Sequence, residues 1–417
     1  MTLDAVALRR EFHAHPETAF TEVRTTARVA EILTGLGLAP RTGRGVIELD
    51  GIVDYPDART LDAVAERAVA TGADQAWVET VRRDGSALVV DVEGRSDGPT
   101  WALRFDTDAL GILESTQESH VPQREGFRST VERGMHACGH DGHVAIGLAL
   151  AERLQQDPDF PGSVRFLFQP AEEGGRGARA MLNGGAFEGV DRFVALHLGL
   201  DLPLGHVVGG AVGAFATTKL RARFTGVASH AAAAPQDGRN ALAAAAAGTL
   251  AVLAQPRWST TDTRVNVGTL HAGDGVNIIP AWAELTAETR ALDAEVQIEL
   301  SRRVVAALEG AAATYGCAVE VLQTGGSAPI NSDEDVAWSL ARHAKHLGLT
   351  SDTFGPMGGS DDASLFLAEA QRTGGTGSYV MVGADNPAPH HHPDFDIDER
   401  ALAHGVDLLE ALVREPL

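Results

Sequence analysis

The sequence predicts an α/β protein in which a small domain is inserted into a larger one, and three observations support this. The chain has 417 residues, which is more than one hydrophobic core usually holds. In its first half, short and almost wholly apolar segments alternate with helical ones, as in a parallel sheet covered by helices on both faces. Beyond residue 216 the order of elements changes to β-α-β-β-α-β, which is the ferredoxin-like arrangement.

The larger domain is predicted from helices and strands in alternation. Helical periodicity covers 5–17 and 21–37, and the second segment ends in glycines, as many helices do. A further helix is predicted at "GHVAIGLALAERLQQ". Four apolar segments are typical of buried strands, namely "TWALRFD", "SVRFLFQ", "DRFVALHLG" and, far downstream, "SYVMVGA". We therefore assign 1–215 and 327–417 to the larger domain, with a mainly parallel sheet.

The inserted domain is predicted over 216–326. It begins with the strand "KLRARFTG" and the alanine-rich helix "NALAAAAAGTLAVLAQ", which are followed by the strands "RVNVGTLHAG" and "AWAELTAETRAL". The helix "AEVQIELSRRVVAALEGAAATYG" and the strand "CAVEVLQTGG" complete it. The segment "GGSAPINSD", rich in turn-forming residues, predicts the link back to the larger domain.

Composition excludes several classes of partner. The formal net charge of −23 argues against nucleic acid, because phosphate binding needs a basic surface. An apolar run of about 18 residues is missing, and the N-terminus lacks the pattern of a secretory signal. The two cysteines, Cys138 and Cys317, are too few and too far apart for a disulfide framework. We therefore expect a cytoplasmic protein that binds neither nucleic acid nor membrane.

Residues that can bind metals follow the predicted strands of the larger domain. Asp106 and Asp108 follow the first strand, Glu172 and Glu173 follow the second, and His197 ends the third. The fourth strand leads through a short loop to "PHHHPDF". Because binding sites in open parallel sheets form beyond the carboxyl ends of the strands, we expect these side chains to converge.

The segment "GMHACGHDGH" adds three histidines and Cys138 directly before a predicted helix. Each piece alone could be structural, since histidines pack in cores and adjacent glutamates lie on surfaces. Together they favour a metal site, because zinc and manganese accept imidazole, carboxylate and thiolate ligands. A redox thiol is disfavoured because Cys138 has no neighbouring cysteine. A purely structural zinc site is disfavoured because these ligands are scattered along the chain.

Several segments resemble the aminoacylase, hippurate hydrolase and indole-acetyl-amino-acid hydrolase group of metallopeptidases. They are "GMHACGHDGHVAIGLALAERL", "FLFQPAEEGGRGARAML", "HHHPDFDIDE" and, for the first helices, "RREFHAHPETAFTEVRTTARVAEIL". The similarity extends from about residue 8 to about residue 410. The resemblance implies a di-metal catalytic domain carrying a ferredoxin-like lid that also forms dimers.

The resemblance also assigns roles to residues of the larger domain. It implies two divalent ions per chain, manganese or zinc, bound by Cys138, His140, Glu173, His197 and one histidine of 390–392. We choose His391, because the family's ligand lies four residues before the aromatic residue that corresponds to Phe395, and keep His390 as the alternative. Glu172 corresponds to the general base. More distant peptidases have a metal-binding His-x-Asp where this chain has Asp106-Thr107-Asp108, so we expect Asp108 to support the ligands by hydrogen bonding.

The inserted domain carries three candidate substrate contacts. "FTGVASHAAAAP" resembles the segment whose histidine, here His230, polarises the substrate carbonyl, often from the partner subunit. "GDGVNIIP" offers Asn277, and "AETRAL" offers Arg290, which could bind a carboxylate through two parallel hydrogen bonds. The alternatives are a histidine that packs within the domain and an arginine in an ordinary ion pair. The resemblance implies a homodimer formed through this domain, with a heterodimer of related subunits as the alternative.

The insertion from about Val46 to Gly98 is most similar to a subgroup of this family that cleaves aminobenzoyl-glutamate, as are "FATTKLRARFTGVASHAAAAPQDGRNAL" and "GGSDDASLF". The similarity implies an amidohydrolase that converts p-aminobenzoyl-glutamate to p-aminobenzoate and glutamate. A broader hydrolase of N-acyl-amino acids or aryl amides is the alternative. A subunit that needs a second polypeptide for activity is another, although every ligand and the general base are present.

Overall fold

The structure is a computed structural model that describes residues 3–415, and the chain forms two compact units. Unit 1 comprises Met1–Val212, Ile330–Met357 and Asp361–Leu417, and unit 2 comprises Gly213–Pro329 and Gly358–Ser360. The helices are α1 (Ala5–Ala14), α2 (Val23–Gly35), α3 (Ala58–Ala70), α4 (Gln75–Asp84), α5 (Val121–Glu125), α6 (His140–Gln156), α7 (Gly177–Gly184), α8 (Ala241–Leu253), α9 (Ala294–Thr314), α10 (Glu334–His346), α11 (Ser364–Arg372) and α12 (Arg400–Arg414). The strands are β1 (Leu88–Glu93), β2 (Ser96–Asp106), β3 (Pro161–Gln169), β4 (Arg192–Leu198), β5 (His206–Ala214), β6 (Ala216–Thr225), β7 (Thr263–Ala272), β8 (Trp282–Ala291), β9 (Ala318–Ser327), β10 (Ile330–Asn331), β11 (Thr350–Pro356) and β12 (Thr376–Val382).

The sheet of unit 1 has a parallel centre, and on each side of it one strand runs antiparallel to its inner neighbour. Its strand order is β1-β3-β2-β4-β12-β5-β10, with β11 paired to β5. The pairs of β2 with β3, β2 with β4 and β4 with β12 are parallel. The pairs of β1 with β3 and β5 with β12 are antiparallel, so the sheet is mixed rather than simply parallel. The parallel centre places the carboxyl ends of β2, β3, β4 and β12 at one edge.

Helix α6 covers the centre of this sheet and is buried along most of its length. It packs against α1, α12 and β2, and two of its glycines allow a close approach. A Cβ atom at Gly147 would lie 2.9 Å from the Phe105 ring, and one at Gly142 would lie 2.7 Å from Leu198 Cδ1. Larger residues would move the helix away from the sheet. Gly142 therefore lets the first turn of α6 approach the end of β4, and Gly147 lets the helix approach Phe105.

The long insertion forms a small helical layer of its own. Helices α3 and α4 pack against each other and against α2. Their apolar contacts form a separate small core, which includes Val23, Ala68, Val78 and Val81. Asp57 caps α3 by accepting from Thr60 N at 2.8 Å, as expected for an aspartate at the N-cap position.

Unit 2 has the element order β6-α8-β7-β8-α9-β9 and a four-stranded sheet in the order β7-β8-β6-β9. The sheet is antiparallel, and this order is that of the ferredoxin-like arrangement. Helices α8 and α9 pack on it over a core that includes Phe224, Leu285, Val304 and Leu308. Among the described residues, the structure contains no helix with the length and apolar character that crossing a membrane requires.

Candidate metal centre and active site

Cys138 and His140 lie at the start of α6, at the edge where the parallel strands end. Gly139 between them is the N-cap and has φ +89°, a conformation that favours glycine. His140 is buried, and its Nδ1 donates to the Asp108 carbonyl oxygen at 2.8 Å. Its Nε2 has no nitrogen or oxygen hydrogen-bond partner within residues 3–415. This buried nitrogen is thus oriented by its neighbour and available to a ligand.

His197, at the end of β4, is oriented in the same way. Its Nδ1 donates to the Leu198 carbonyl oxygen at 2.8 Å, and its Nε2 lies 3.6 Å from Cys138 Sγ. Burial and the neighbouring His143 hold the pKa of His197 well below its usual value. A neutral imidazole with its Nε2 beside a thiol is suited to binding a metal ion.

The two adjacent glutamates follow β3, and Asp108 fixes the backbone that carries them. Asp108 Oδ1 accepts from Glu172 N at 3.0 Å, and Oδ2 accepts from Glu173 N at 3.1 Å. The same residue's carbonyl oxygen accepts from His140 Nδ1. One buried aspartate therefore positions both glutamates and one imidazole.

Both candidate histidines of the 390–392 tract reach the site. His390 Nε2 donates to the Leu198 carbonyl oxygen at 3.3 Å, and the His390 ring lies 5.4 Å from the His197 ring. His391 has φ +66°, and its Nε2 lies 3.3 Å from Glu173 Oε2. Hydrogen bonds to Cys138 and Glu173 raise the pKa of His391 to about 10. The geometry thus brings both histidines to the site.

Within residues 3–415, four groups of donor residues could hold an ion, and two of these groups share the thiol. One group is Cys138, His140 and Glu173, and the other is Cys138, His197 and His390. Within each group the ligand atoms lie within 4.8 Å of one another. The two groups lie side by side, because Cys138 belongs to both of them.

The charge and chemistry of these residues fit divalent cations. Burial, together with Glu173, raises the pKa of Cys138, so the thiolate needs a positive charge beside it. Although burial opposes it, Asp106 and Cys138 raise the pKa of His140 well above its usual value, which means that the site stabilises positive charge. Two ions could supply that charge to the thiolate and carboxylates, and the mixture of sulfur, nitrogen and oxygen suits zinc or manganese.

Asp106 is engaged by a buried ion-pair network beneath these groups. Arg104, within β2, pairs with Asp106 and with Asp361, and its Nη2 lies 2.9 Å from Asp361 Oδ1. Asp106 also pairs with His143 Nδ1, and Tyr379 donates to Asp361 Oδ2 at 2.8 Å. These partners engage the Asp106 carboxylate, and Asp106 also lies with His140 and His143 in a group of residues that could hold an ion.

The sequence patterns do not predict this network. Asp361 and Asp362 belong to the segment "GGSDDASLF", which gives no sign of a role at the site, although both lie close to Glu172. The sequence does contain one sign of the network, because an arginine in the middle of an apolar strand needs buried carboxylate partners. The sequence cannot identify those partners, because Asp361 is 257 positions from Arg104.

Glu172 differs from Glu173 in its electrostatic surroundings. Burial and the neighbouring carboxylates, first Asp361 and then Glu173, raise the pKa of Glu172 well above its usual value. A carboxyl group whose protonated form is favoured can take up a proton from one reactant and hold it until it is delivered to another. Glu172 is thus equipped to transfer protons beside the ligand groups.

The predicted substrate contacts of unit 2 lie on two loops and a strand. His230 and Ile278 form a bridge, and Ala231 N donates to the Asn277 carbonyl oxygen at 3.0 Å, so the two loops are paired. His230 Nδ1 accepts from Ala232 N and Ala233 N, each at 3.1 Å.

Arg290 lies on β8 and forms two hydrogen bonds of 3.0 Å to Glu288. The two residues share one face of the strand, because they are two positions apart. Nε and Nη2 of Arg290, the atoms that would bind a substrate carboxylate, are thus already paired with Glu288.

The family model of peptidase family M20/M25/M40 matches residues 102–415, which is most of the chain. The chain belongs to this family. The enzyme is a metal-dependent hydrolase of amide bonds, as the motifs predicted. The two ligand groups and the family together support two divalent ions.

Two curated relatives cover almost the whole chain. One is a subunit of p-aminobenzoyl-glutamate hydrolase from Escherichia coli, to which the chain is 42% identical over 96% of this chain and 93% of the relative. The other is indole-3-acetyl-aspartic acid hydrolase from Enterobacter agglomerans, to which the chain is 40% identical over the same shares. These similarities confirm the resemblance to the subgroup.

Two solved structures are similar as well. An aminobenzoyl-glutamate utilization protein from Klebsiella pneumoniae has a TM-score of 0.83 at 35% identity, covering 98% of this chain and 94% of its own. A dinuclear metal-binding peptidase of the M20 family from Bacillus subtilis has a TM-score of 0.67 at 25% identity, covering 98% and 96%. The mixed α/β fold is therefore that of the M20 peptidases.

Proposed function

We propose that this enzyme hydrolyses p-aminobenzoyl-glutamate to p-aminobenzoate and glutamate. The observation that carries the proposal is the position of Glu172, whose raised pKa favours its protonated form and whose Oε2 lies 3.9 Å from His140 Nε2 in a group of thiol, imidazole and carboxylate ligands. The names of the two relatives support the substrate, since their acyl groups differ but each is joined to an acidic amino acid. The shared feature favours a conjugate of glutamate or aspartate.

We further propose that two divalent ions are held by Cys138, His140, Glu173, His197 and His391. His390 lies in the group with Cys138 and His197, but we prefer His391, because its Nε2 faces Glu173 whereas His390 Nε2 already donates to a carbonyl oxygen. Thiolate and imidazole favour zinc, and the carboxylates also accept manganese. When bound, the ions would make a water molecule more acidic and withdraw electrons from the amide carbonyl.

In the proposed mechanism Glu172 transfers the protons. Its carboxylate takes a proton from the attacking water and then delivers that proton to the leaving amide nitrogen. The carboxylates around Glu172 favour its protonated form, so it can hold the proton between the two steps. Glu173 cannot share this role, because His391 and His140 outweigh the effect of burial and lower its pKa.

The residues of unit 2 complete the proposal. His230 would polarise the scissile carbonyl and Asn277 would hydrogen-bond to the substrate. Arg290 would bind the carboxylate next to the scissile bond in exchange for its pairing with Glu288. We propose that unit 2 acts as a lid and dimerisation domain in a homodimer, with a heterodimer of related subunits as the second possibility.

A substrate panel tests the proposed function. Purified enzyme loaded with manganese or zinc should cleave p-aminobenzoyl-glutamate in preference to hippurate and N-acetyl amino acids, measured as kcat/KM. A clear preference for hippurate or acetylated substrates would instead establish the broader hydrolase. Turnover that requires a second polypeptide would identify the chain as one component of a larger enzyme.

We also propose that the enzyme has a cytoplasmic location. This proposal rests on Cys138 and Cys317, which are both free cysteines in the structure.

A further inference from the structure

We propose that Arg176 binds the side-chain carboxylate of the acidic amino acid in the substrate. This inference rests on the proposed function and deepens it by naming the residue that selects glutamate. Arg176 precedes α7 and follows the turn that carries the two glutamates. Two glycines separate it in sequence from Glu173.

The backbone keeps Arg176 on this turn. Gly175 N donates to the Glu172 carbonyl oxygen at 2.6 Å, and Arg176 N donates to the Ala171 carbonyl oxygen at 3.2 Å. Gly175 has φ +68°, which a glycine adopts without strain. The turn is therefore tight, and the residue that follows it is tied to the residue that precedes Glu172.

The side chain of Arg176 is also held in place. It folds back over Gly174, where an added Cβ would lie 2.6 Å from Arg176 Nε. Its guanidinium carbon lies 5.1 Å from the centre of the Phe20 ring, and Phe20 is buried. Stacking on an aromatic ring and contact with a glycine restrict the guanidinium before any ligand arrives.

Most hydrogen-bond donors of this guanidinium are unused. Arg176 Nη1 donates to the Val53 carbonyl oxygen at 3.1 Å, which engages one of five N–H groups. Within residues 3–415, Arg176 forms no ion pair with an aspartate or glutamate. By contrast, Arg104 and Arg290 are both paired with carboxylates. A fixed guanidinium with free donors is suited to a carboxylate supplied by a ligand.

The second carboxylate of the proposed substrate calls for a second cationic side chain in the binding site. Every N-acyl-amino acid carries the carboxylate next to the scissile bond, which the proposed function gives to Arg290. Glutamate adds a side-chain carboxylate, and the proposed ions and Arg290 are already engaged by the scissile amide and the first carboxylate. Arg176, on the loop of the proton-transferring glutamate, can provide that cation.

A pair of isosteric substrates tests this role. The enzyme is assayed on p-aminobenzoyl-glutamate and p-aminobenzoyl-glutamine, which differ only in the charge of the side chain. Arg176→Gln should raise KM for the glutamate conjugate about 10- to 100-fold, because a charge-assisted pair is lost, and should change KM for the glutamine conjugate less than about 3-fold. Arg176→Lys should restore part of the preference, because it keeps the charge but not the paired donors.

Matched controls separate selectivity from structure. Arg179→Gln removes an exposed arginine one turn along α7 and should leave both KM values unchanged. Binding without turnover is measured by calorimetry in the Glu172→Gln background, where Arg176→Gln should weaken the glutamate conjugate alone. Equal losses for both conjugates, or no loss for either, would overturn the assignment. If the enzyme does not cleave aminobenzoyl conjugates, the proposed function is wrong. The role of Arg176 is then tested with the glutamate and glutamine conjugates of an acyl group that the enzyme does cleave.

Discussion

Replacement of Asp108 by Asn tests how the site is held together. Both carboxylate oxygens of Asp108 accept backbone N–H groups, one from Glu172 and one from Glu173. An amide has one accepting oxygen, and its NH2 group would face the second N–H. One hydrogen bond to a charged acceptor is therefore lost, at a cost of about 1.5–3 kcal/mol. Because about 1.4 kcal/mol corresponds to a factor of ten, we expect metal binding to weaken about 10- to 100-fold.

The assay is a titration of metal-free protein with zinc or manganese in competition with a chelator of known affinity. Asp191→Asn is the matched control, because Asp191 also accepts a backbone N–H, from Thr100 at 2.8 Å, but lies near the start of β4. Thermal unfolding of the metal-free variants reports any general loss of stability. We expect the control to bind metal as the wild type does.

Two results would refute the reasoning about Asp108. One is a folded Asp108→Asn variant with unchanged metal affinity, which would mean that the glutamate loop keeps its geometry without both hydrogen bonds. The other is an equal loss of affinity in Asp191→Asn, which would make the effect one of global stability.

Further predictions concern proton transfer, the choice of histidine and stability in acid. Glu172→Gln should abolish turnover while elemental analysis finds near-normal metal content, whereas loss of metal would mean that the two glutamates have exchanged roles. His391→Ala should lower metal content more than His390→Ala, and the reverse order would make His390 the ligand. Although burial opposes it, hydrogen bonds from His120 and His13 lower the pKa of Glu114 to about 2. The stabilisation by Glu114, about 3 kcal/mol, should therefore be complete above about pH 4.5 and be lost as the pH falls towards 2. Urea unfolding across this range should show the stability gap between wild type and Glu114→Gln narrowing with acidity, and a constant gap would contradict it.

The strands that carry the site could be predicted because they are buried on both faces. Continuous apolar segments at β2, β3, β4 and β12 left little ambiguity. The strands outside the parallel centre could not be predicted in the same way. Strand β5 reads "HVVGGAVGA", and its glycines weaken any strand signal, so its place depends on pairing with β12 and β11.

The candidate site, too, could be predicted from the sequence only in part. Ligands at strand ends were predicted because parallel strands bring their carboxyl ends to one edge of the sheet. The buried partners of Arg104 could not be predicted, because the Asp361 segment returns to β2 only through the tertiary fold. Nor could the sequence indicate that His390 and His391 both reach the site, since the positive φ of His391 depends on local packing.

The contrast between Glu172 and Glu173 is the clearest case in which tertiary structure assigns chemistry. The two residues are identical and adjacent, and one carboxylate holds both of their backbone N–H groups. Their side chains nevertheless lie in opposite electrostatic surroundings. Glu172 lies near Asp361 and Asp362, which favour its protonated form, whereas His391 lowers the pKa of Glu173. In the proposed mechanism, proton transfer and metal binding thus require two glutamates in one turn, because a single carboxylate cannot be held in both charge states at once.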